Sequence, residues 1–449
     1  MARLLQFLAL ALASLALMTR PAVAQQILRD AETEAFMADM SAPLVKAAGM
    51  APNNVQVLVI NDPEINAFVA GGQYVWVHSG LIAQADNVNQ LQGVVAHELG
   101  HIEGGHIIRS GEGIKDATSV TLLSLVLGAA AIAAGGAEAG MGIMGLGQQA
   151  AMSRFLAFSR AQESSADLAG ARYLHTAGIS GRGSLEFFKK LQNQEYRLAI
   201  PQDNSYGRTH PLSGERINVL REVYTVDPAW DKPVDPQLEA RFERIKAKLI
   251  GFVSEPQQTL IKYPESDQSL PAHYARAYAW HKSAYPQKAL AEADALLAAE
   301  PHDPYFLELK GQILLESGRP ADAVAPLREA VRRTNQPLIS VLLAHALIAT
   351  EDPANFAEAE QVLRVAVQRD RENPFAWYQL GVVYERRGDT PRAALATAER
   401  YAMMGDHNLA LRSADVAVQG LKPGTVDYLR AQDIAMTSRA AVEQQRKKR

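Results

Sequence analysis

The chain has 449 residues, of which 48% are hydrophobic and 21% charged, and its formal net charge is −4. That length suits two or three globular domains, and the mild acidic balance argues against a nucleic-acid partner. With no cysteine, a disulfide framework is excluded and any metal site must be built from histidine and carboxylates.

In chain order, Arg3 gives a short positive start, Leu4 to Met18 form an apolar stretch, and Ala22-Val23-Ala24 supplies a small-x-small cleavage pattern. Residues 1–24 are therefore expected to be a signal peptide cut after Ala24. The other reading, an N-terminal membrane anchor, would need a longer apolar run. Removing Arg3 and Arg20 with the leader takes the formal charge from −4 to −6. The first domain is expected over residues 25–225, mixing helical patterns with one strand region. Val55 to Ile60 (VQVLVI) is β-rich and bounded by Asn54 and Asn61-Asp62-Pro63. Tyr74 to His78 (YVWVH), preceded by Gly71-Gly72 and closed by Gly80, reads as a second strand beside it in a small sheet.

The chemistry concentrates in the next stretch, His97-Glu98-Leu99-Gly100-His101, an H-E-x-x-H motif in an apolar, helix-compatible setting. A spacing of four puts both imidazoles on one helix face, where they can share a metal ion. Glu98 then projects toward the open coordination position and can take a proton from a metal-bound water. Further on, Ser159 to Asp167 contains Glu163 and Asp167, again four apart on one face. A catalytic zinc site needs a third protein ligand, which a His2Glu set supplies. An aspartate one turn later can accept a hydrogen bond from a ligand imidazole. Either acidic residue alone reads as a solvated helix face; the two matched halves in this order point to a metal. His106 lies five residues past His101, off the ligand face, and is expected at the surface or behind a ligand.

Between the two motifs, Ala117 to Ala137 carries no charge and contains Leu122-Leu123-Ser124-Leu125-Val126-Leu127. Its length approaches that of a membrane span, but its second half is mostly Ala and Gly. The two readings are a mobile plug beside the active site and a transmembrane helix, and the weak hydrophobicity favours the plug.

Val226 to Pro236, rich in Asp and Pro, looks like the start of a connector over 226–256, in which Leu238, Phe242, Ile245 and Leu249 sit at helical spacing. From 257 to about 440 the chain repeats itself: Ala289, Ala323, Ala359 and Ala393 recur at intervals of 34, 36 and 34 residues. Trp377, Leu380-Gly381 and Tyr384 match the W-x2-L-G-x2-Y signature of a tetratricopeptide repeat (TPR). The alanines, with Gly311 and Gly381, let paired helices approach closely. About four repeats are expected, ending in a degenerate cap after Asp406 and stacked into a superhelix whose concave face holds peptide or protein. Residues 441–449 close the chain as a basic tail.

The paired motifs resemble those of the metallopeptidase family that includes the CAAX prenyl proteases and HtpX. With its leader and repeats, the chain resembles the BepA-type periplasmic proteases from Gln25 to about residue 440. The resemblance implies an α+β gluzincin-type metalloprotease domain, mostly helical with a small β-sheet, followed by an all-α TPR superhelix. It implies one Zn2+ per chain on His97, His101 and Glu163, with Glu98 as general base and Asp167 behind the ligands. Asn66-Ala67-Phe68 followed by Gly71-Gly72 matches a family pattern, which implies either a strand that pairs with extended substrate or simply part of the fold. Thr209-His210-Pro211, with Arg216 downstream, resembles the family's Ser-His-Pro loop, with Thr in place of Ser. This implies His210 as a fourth metal ligand that idles the enzyme, or, when displaced, a donor to the developing oxyanion; the other reading is a loop histidine with no metal contact. The implied function is a periplasmic zinc endopeptidase in quality control and assembly of outer-membrane proteins. The alternative is mainly a chaperone or assembly adaptor with a regulated or idle zinc site. Implied partners are unfolded or misassembled outer-membrane proteins, the outer-membrane assembly machinery through the TPR domain, and a membrane touched peripherally by 117–152, with no nucleic acid.

Overall fold

Alternating apolar side chains build the sheet of the first domain in this computed structural model, which describes residues 26–51, 54–133, 137–198, 210 and 214–447. The leader expected over 1–24 lies outside the described residues, as do Thr209 and Pro211. Strands β1 (Ile27–Leu28), β2 (Gln56–Ile60), β3 (Ala67–Ala70) and β4 (Tyr74–His78) lie in the order β1-β2-β4-β3. The two strands read from sequence are neighbours and run parallel, from Gln56 opposite Tyr74 to Ile60 opposite His78. β3 pairs antiparallel with β4 through a turn at Gly71 and Gly72, whose φ angles of 70° and 104° favour glycine. β3 therefore stands at one edge of the sheet.

Val57, Val59, Val75 and Val77 face inward against helices α1 (Ala31–Ala47), α2 (Ser79–Gln84) and α3 (Val88–Glu103). Helices α4 (His106–Ala133), α5 (Ala137–Ala177), α6 (Arg182–Leu198), α7 (Gly214–Thr225) and α8 (Pro236–Val253) follow. Phe36, Leu91, Val95, Leu99, Tyr173 and Phe187 share one buried cluster, each worth roughly 1.5–3 kcal/mol of transfer free energy. The helix read within the connector also belongs to that cluster. Phe242, Ile245 and Leu249 of α8 are buried in it, with the Phe242 ring 6.3 Å from Phe36.

The other side of α8 meets the repeats, so this helix is shared by both domains. A side chain at Gly251 would come within 2.6 Å of the Ala275 carbonyl on α10 (Leu270–Lys282). After α9 (Pro256–Lys262), α10 pairs with α11 (Pro286–Ala299), and α12 (Pro304–Glu316) with α13 (Pro320–Arg333). Next come α14 (Pro337–Ala349) with α15 (Phe356–Arg369), and α16 (Pro374–Arg386) with α17 (Thr390–Met403). A last pair, α18 (His407–Gly420) and α19 (Val426–Lys447), carries Arg446 and Lys447 at a helix end. Proline occupies the first turn of most of these helices, where its missing N–H costs no hydrogen bond.

Ala289, Ala323, Ala359 and Ala393 are all buried on the second helix of a pair. Gly311 is needed for close packing, since a Cβ there would lie 2.4 Å from Leu327. Gly381 is not: its nearest neighbours would be 3.6 Å away, an ordinary contact, because smaller residues, Ala393 and Ala396, face it.

A cleft of about 760 Å³ separates β1 from the inner helices of the superhelix, lined by Leu28, Lys248, Tyr278, Glu308 and Phe375 among others. The Oε2 of Glu308 is buried there without a hydrogen-bond partner, and burial pushes the carboxyl up to about 8. The folded state thus keeps a proton that the unfolded chain gives up near pH 4.5, so this residue's contribution to stability falls as pH rises from about 4.5 to 8. Glu308→Gln is expected to raise stability at pH 9 by on the order of 2 kcal/mol and to leave it unchanged at pH 4, measured by urea unfolding at both pH values.

Candidate metal centre

The site is made by two helices whose backbones touch. A Cβ on Gly100 of α3 would lie 2.6 Å from the Ala166 carbonyl of α5, and one on Gly170 would meet Ala96 at 3.1 Å. Small residues at these crossings let the helices approach closely enough for short carboxylate side chains on α5 to reach imidazoles on α3. Glu163 and Asp167, one turn apart, therefore stand beside His97 and His101.

His97 Nε2 lies 3.1 Å from His101 Nε2, 3.3 Å from His210 Nδ1 and 3.4 Å from Glu163 Oε2. Glu163 Oε1 is 3.4 Å from His101 Nε2 and 3.1 Å from His210 Nδ1. All four side chains are buried, and one ligand atom from each falls within a cluster 4.8 Å across. Four donors bound at about 2.0–2.1 Å in a tetrahedron are separated by roughly 3.3 Å. The spacing here fits such an ion. The chemistry of the donors agrees, because imidazole nitrogens and a carboxylate oxygen converging in one buried site are the donor types a divalent zinc ion takes.

Surrounding groups hold the ligands. Asp167 Oδ1 is 3.0 Å from His97 Nδ1, and Arg216 donates to both Asp167 oxygens at 2.7 and 2.8 Å. Arg216 Nη2 also reaches Glu163 Oε2 at 3.1 Å, and the Phe188 ring packs edge-on to His97 at 5.9 Å. His106 places its Nδ1 2.9 Å from His101 Nδ1. Burial opposes a charge on His97, but Asp167 and Glu163 outweigh it and hold the imidazole up to about 10. Burial likewise works to raise Glu163 and Asp167, yet their histidine and arginine partners keep both carboxyls below the usual range. His101 is pushed down by burial and by the charge on His97. Glu98 is fully buried, neither oxygen has a hydrogen-bond partner, and burial raises its carboxyl. His210 stands beside it, with Nε2 3.5 Å from Oε1.

Residues 28–224, which span every one of these groups, match the sequence profile of Peptidase family M48. The chain carries an M48 peptidase domain. Residues 285–336 and 343–408 match tetratricopeptide repeats, so the architecture is a gluzincin-type α+β protease domain followed by an all-α TPR superhelix. The protein is 25% identical over 394 residues to the Beta-barrel assembly-enhancing protease of Escherichia coli (strain K12), covering 86% of this chain and 79% of that one. Its Yersinia pestis counterpart matches at 25% over 380 residues, or 83% and 76% of the two chains. Metalloprotease LoiP of E. coli K12 is 30% identical over 176 residues, 39% of this chain and 64% of that one. The M48 domain makes this protein a metalloendopeptidase, and the four-donor cluster is its candidate metal site.

The sequence-derived site residues come together unevenly in this M48 domain. His97, His101, Glu163 and His210 converge, with Glu98 and Asp167 in contact range. Asn66 precedes and Ala67 and Phe68 begin the edge strand β3, which packs against α3; Asn66 and Ala67 are buried and Phe68 packs edge-on to His78 at 5.9 Å. The stretch expected as a plug runs along the second half of α4, one leg of the α4–α5 hairpin, and only 11% of the Ile114–Ile132 segment is buried. The side chain beside Glu98 is His210.

Of the two places expected for His106, the structure takes the one behind a ligand, although α3 ends before it. Gly105, with φ of 60°, turns the chain back, so His106 meets His101 across a break rather than along a face. The Gly104-Gly105 pair was the signal that could have shown this. Arg216 was visible only as a residue downstream of His210, and nothing in its spacing pointed to Asp167.

Proposed function

We propose that this M48 domain is a zinc-dependent endopeptidase of the periplasm that acts in quality control and assembly of outer-membrane proteins. In this reading the chain is organised as leader 1–24, protease domain 25–225, connector 226–256, TPR domain 257–440 and tail 441–449. The TPR domain binds unfolded or misassembled outer-membrane proteins or the machinery that assembles them, and 117–152 contacts a membrane peripherally. The cluster of His97, His101, Glu163 and His210 beside an unpartnered, buried Glu98 carries the catalytic part of the proposal. The names of the relatives support the cellular part.

Zinc suits the donor set, since imidazole and carboxylate at tetrahedral spacing disfavour magnesium and calcium, which take six or more oxygens. When bound, it lowers the pKa of a water toward 7 and polarises a carbonyl. The protein groups do the rest. Glu98 accepts the proton of the attacking water and hands it to the departing amine. Asp167, itself gripped by Arg216, holds the His97 ring in orientation. β3 offers its edge to an extended substrate strand, with Asn66, Ala67 and Phe68 at its start. His210 occupies a ligand position and stands against Glu98, so substrate reaches the base only after His210 withdraws. Its Nε2 can then donate to the oxyanion of the attacked carbonyl.

That same position of His210 supports the second reading, an assembly adaptor whose protease is held idle. Metal analysis tests the common ground: purified parent protein should carry about one zinc per chain, and His97→Ala should carry less than a tenth of that. Full zinc in the variant would refute the site. An otherwise intact but inactive protein then separates the two readings, since an adaptor would retain its cellular role and a protease would not.

A further inference from the structure

The α4–α5 hairpin exposes apolar side chains over a broad part of both legs. Leu122, Leu123, Leu125, Val126 and Leu127 are between 45% and 66% exposed, and at 100° per residue they cover roughly 200° of the helix, leaving out only the side of buried Ser124. Met141, Leu146 and Met152 are equally bare on the α5 leg. A surface made for a protein partner would form one narrow stripe, whereas here the exposed apolar arc of α4 is about twice that width and the α5 leg adds its own exposed apolar residues.

Where they touch, the residues are small: Gly128 lies against Gly140 and Met144, and Gly147 against Ser124. Close packing through glycine and serine is how helices associate when no hydrophobic drive separates them from their surroundings. Polar side chains are silenced in the same way. Ser119, Thr121 and Ser124 donate their hydroxyls to carbonyls of their own helix, at Lys115, Ala117 and Thr121.

Charge placement sets the depth. Continued along the helices, the Gly128–Gly140 and Ser124–Gly147 register puts Asp116 level with Arg154, and Glu138 level with Ile132. No charged residue lies between these two levels on either leg, although Gln148 and Gln149 are exposed near the lower one. Sixteen residues from Glu138 to Arg154 span about 24 Å, close to the hydrocarbon thickness of a thin bilayer.

We propose that the α4–α5 hairpin inserts into a lipid bilayer, with Lys115, Asp116 and Arg154 at the near surface and Glu138 at the far one. α5 runs on unbroken from Arg154 to Glu163, nine residues or roughly 14 Å, which holds the metal centre just above that surface. The substrates within its reach are polypeptide segments lying at, or emerging from, the membrane. This goes beyond the peripheral contact proposed above, since the hairpin crosses the hydrocarbon layer, and it rests on the proposed function only for the substrate; the insertion itself does not depend on catalysis.

The test uses the full mature chain with vesicles of phosphatidylethanolamine and phosphatidylglycerol. The parent should float with the vesicles, and Leu123→Glu combined with Val126→Glu should reduce flotation at least tenfold without changing zinc content or cleavage of a soluble unfolded polypeptide. In a separate Leu125→Trp variant, the indole fluorescence should be quenched by lipid carrying a nitroxide in the acyl chain. The proposal is overturned if the parent stays at the bottom of the gradient, if the double variant floats equally well, or if the introduced indole is not quenched. It is equally overturned if the hairpin instead drives a dimer that the double variant dissolves while the parent does not float. Flotation without any zinc or peptidase activity would sink the metal-site reading and leave the insertion standing.

Discussion

Glu98→Gln is expected to slow hydrolysis of an unfolded polypeptide by about 10²- to 10⁴-fold while bound zinc stays at the parent level. The substitution is nearly isosteric, which matters because Glu98 is completely buried and a change of volume would disturb α3. It removes only the capacity to accept a proton. None of the ligand contacts among His97, His101, Glu163 and His210 passes through Glu98, so metal binding should survive. Metal content and single-turnover cleavage measured on the same preparation check both halves. Parent-like cleavage would remove Glu98 from the mechanism, and loss of zinc would recast it as part of the binding site. Because the variant keeps its fold, it is also the inactive protein required to tell protease from adaptor in cells.

Glu32→Ala should cost about 3–5 kcal/mol of stability, a loss confined to no single domain. Glu32 begins α1 in the protease domain and is 6% exposed. It pairs with the Arg244 guanidinium, whose Nε is 2.5 Å away, and accepts hydrogen bonds from Lys248 Nζ at 3.2 Å and the Tyr274 hydroxyl at 2.6 Å. Arg244 continues to Asp303 at 2.8 Å, and Lys248 to Asp30 at 2.5 Å. Although burial opposes the charge on Lys248, Asp30 and its neighbours keep the ammonium charged. Removing Glu32 leaves two buried cations short of an anion at the junction where α1, α8 and the first repeats meet, a loss that solvent cannot make good. Urea unfolding should show a lower midpoint for the protease and TPR domains together. A change below about 1 kcal/mol would mean the network adds nothing to the domain junction.

Both variants depend on features of very different visibility. Glu98 is legible because the H-E-x-x-H spacing is local: a helix repeats every 3.6 residues whatever surrounds it, so the side-by-side imidazoles follow from their positions in the chain. The recurring alanines of the repeats are legible for a related reason, since each unit packs on its neighbour in the same way. Glu32 is opaque. Its partners lie more than two hundred residues away, and an acidic residue in the first turn of a helix reads as an ordinary surface charge.

Arg216 and His106 mark the same boundary within the metal centre. Arg216 grips Asp167 only because α7 folds back against α5, and His106 meets His101 only because the chain reverses at Gly105. The apolar run after residue 117 shows it from the other side. Its composition was plain in the sequence, but a plug and a projecting hairpin are made of the same residues and differ only in what covers them.

By itself, then, the sequence determined the helical placement of the HExxH and Glu-x3-Asp pairs, the two principal strands and the repeat period, all of which arise from interactions between near neighbours. The tertiary structure decided that Glu163 reaches His97 and His101, that His210 stands over Glu98, that α8 belongs to two domains, and that the apolar hairpin points into the surroundings. Those outcomes depend on backbones meeting at Gly100 and Gly170 and on charges buried together from segments more than two hundred residues apart, and no local periodicity records them.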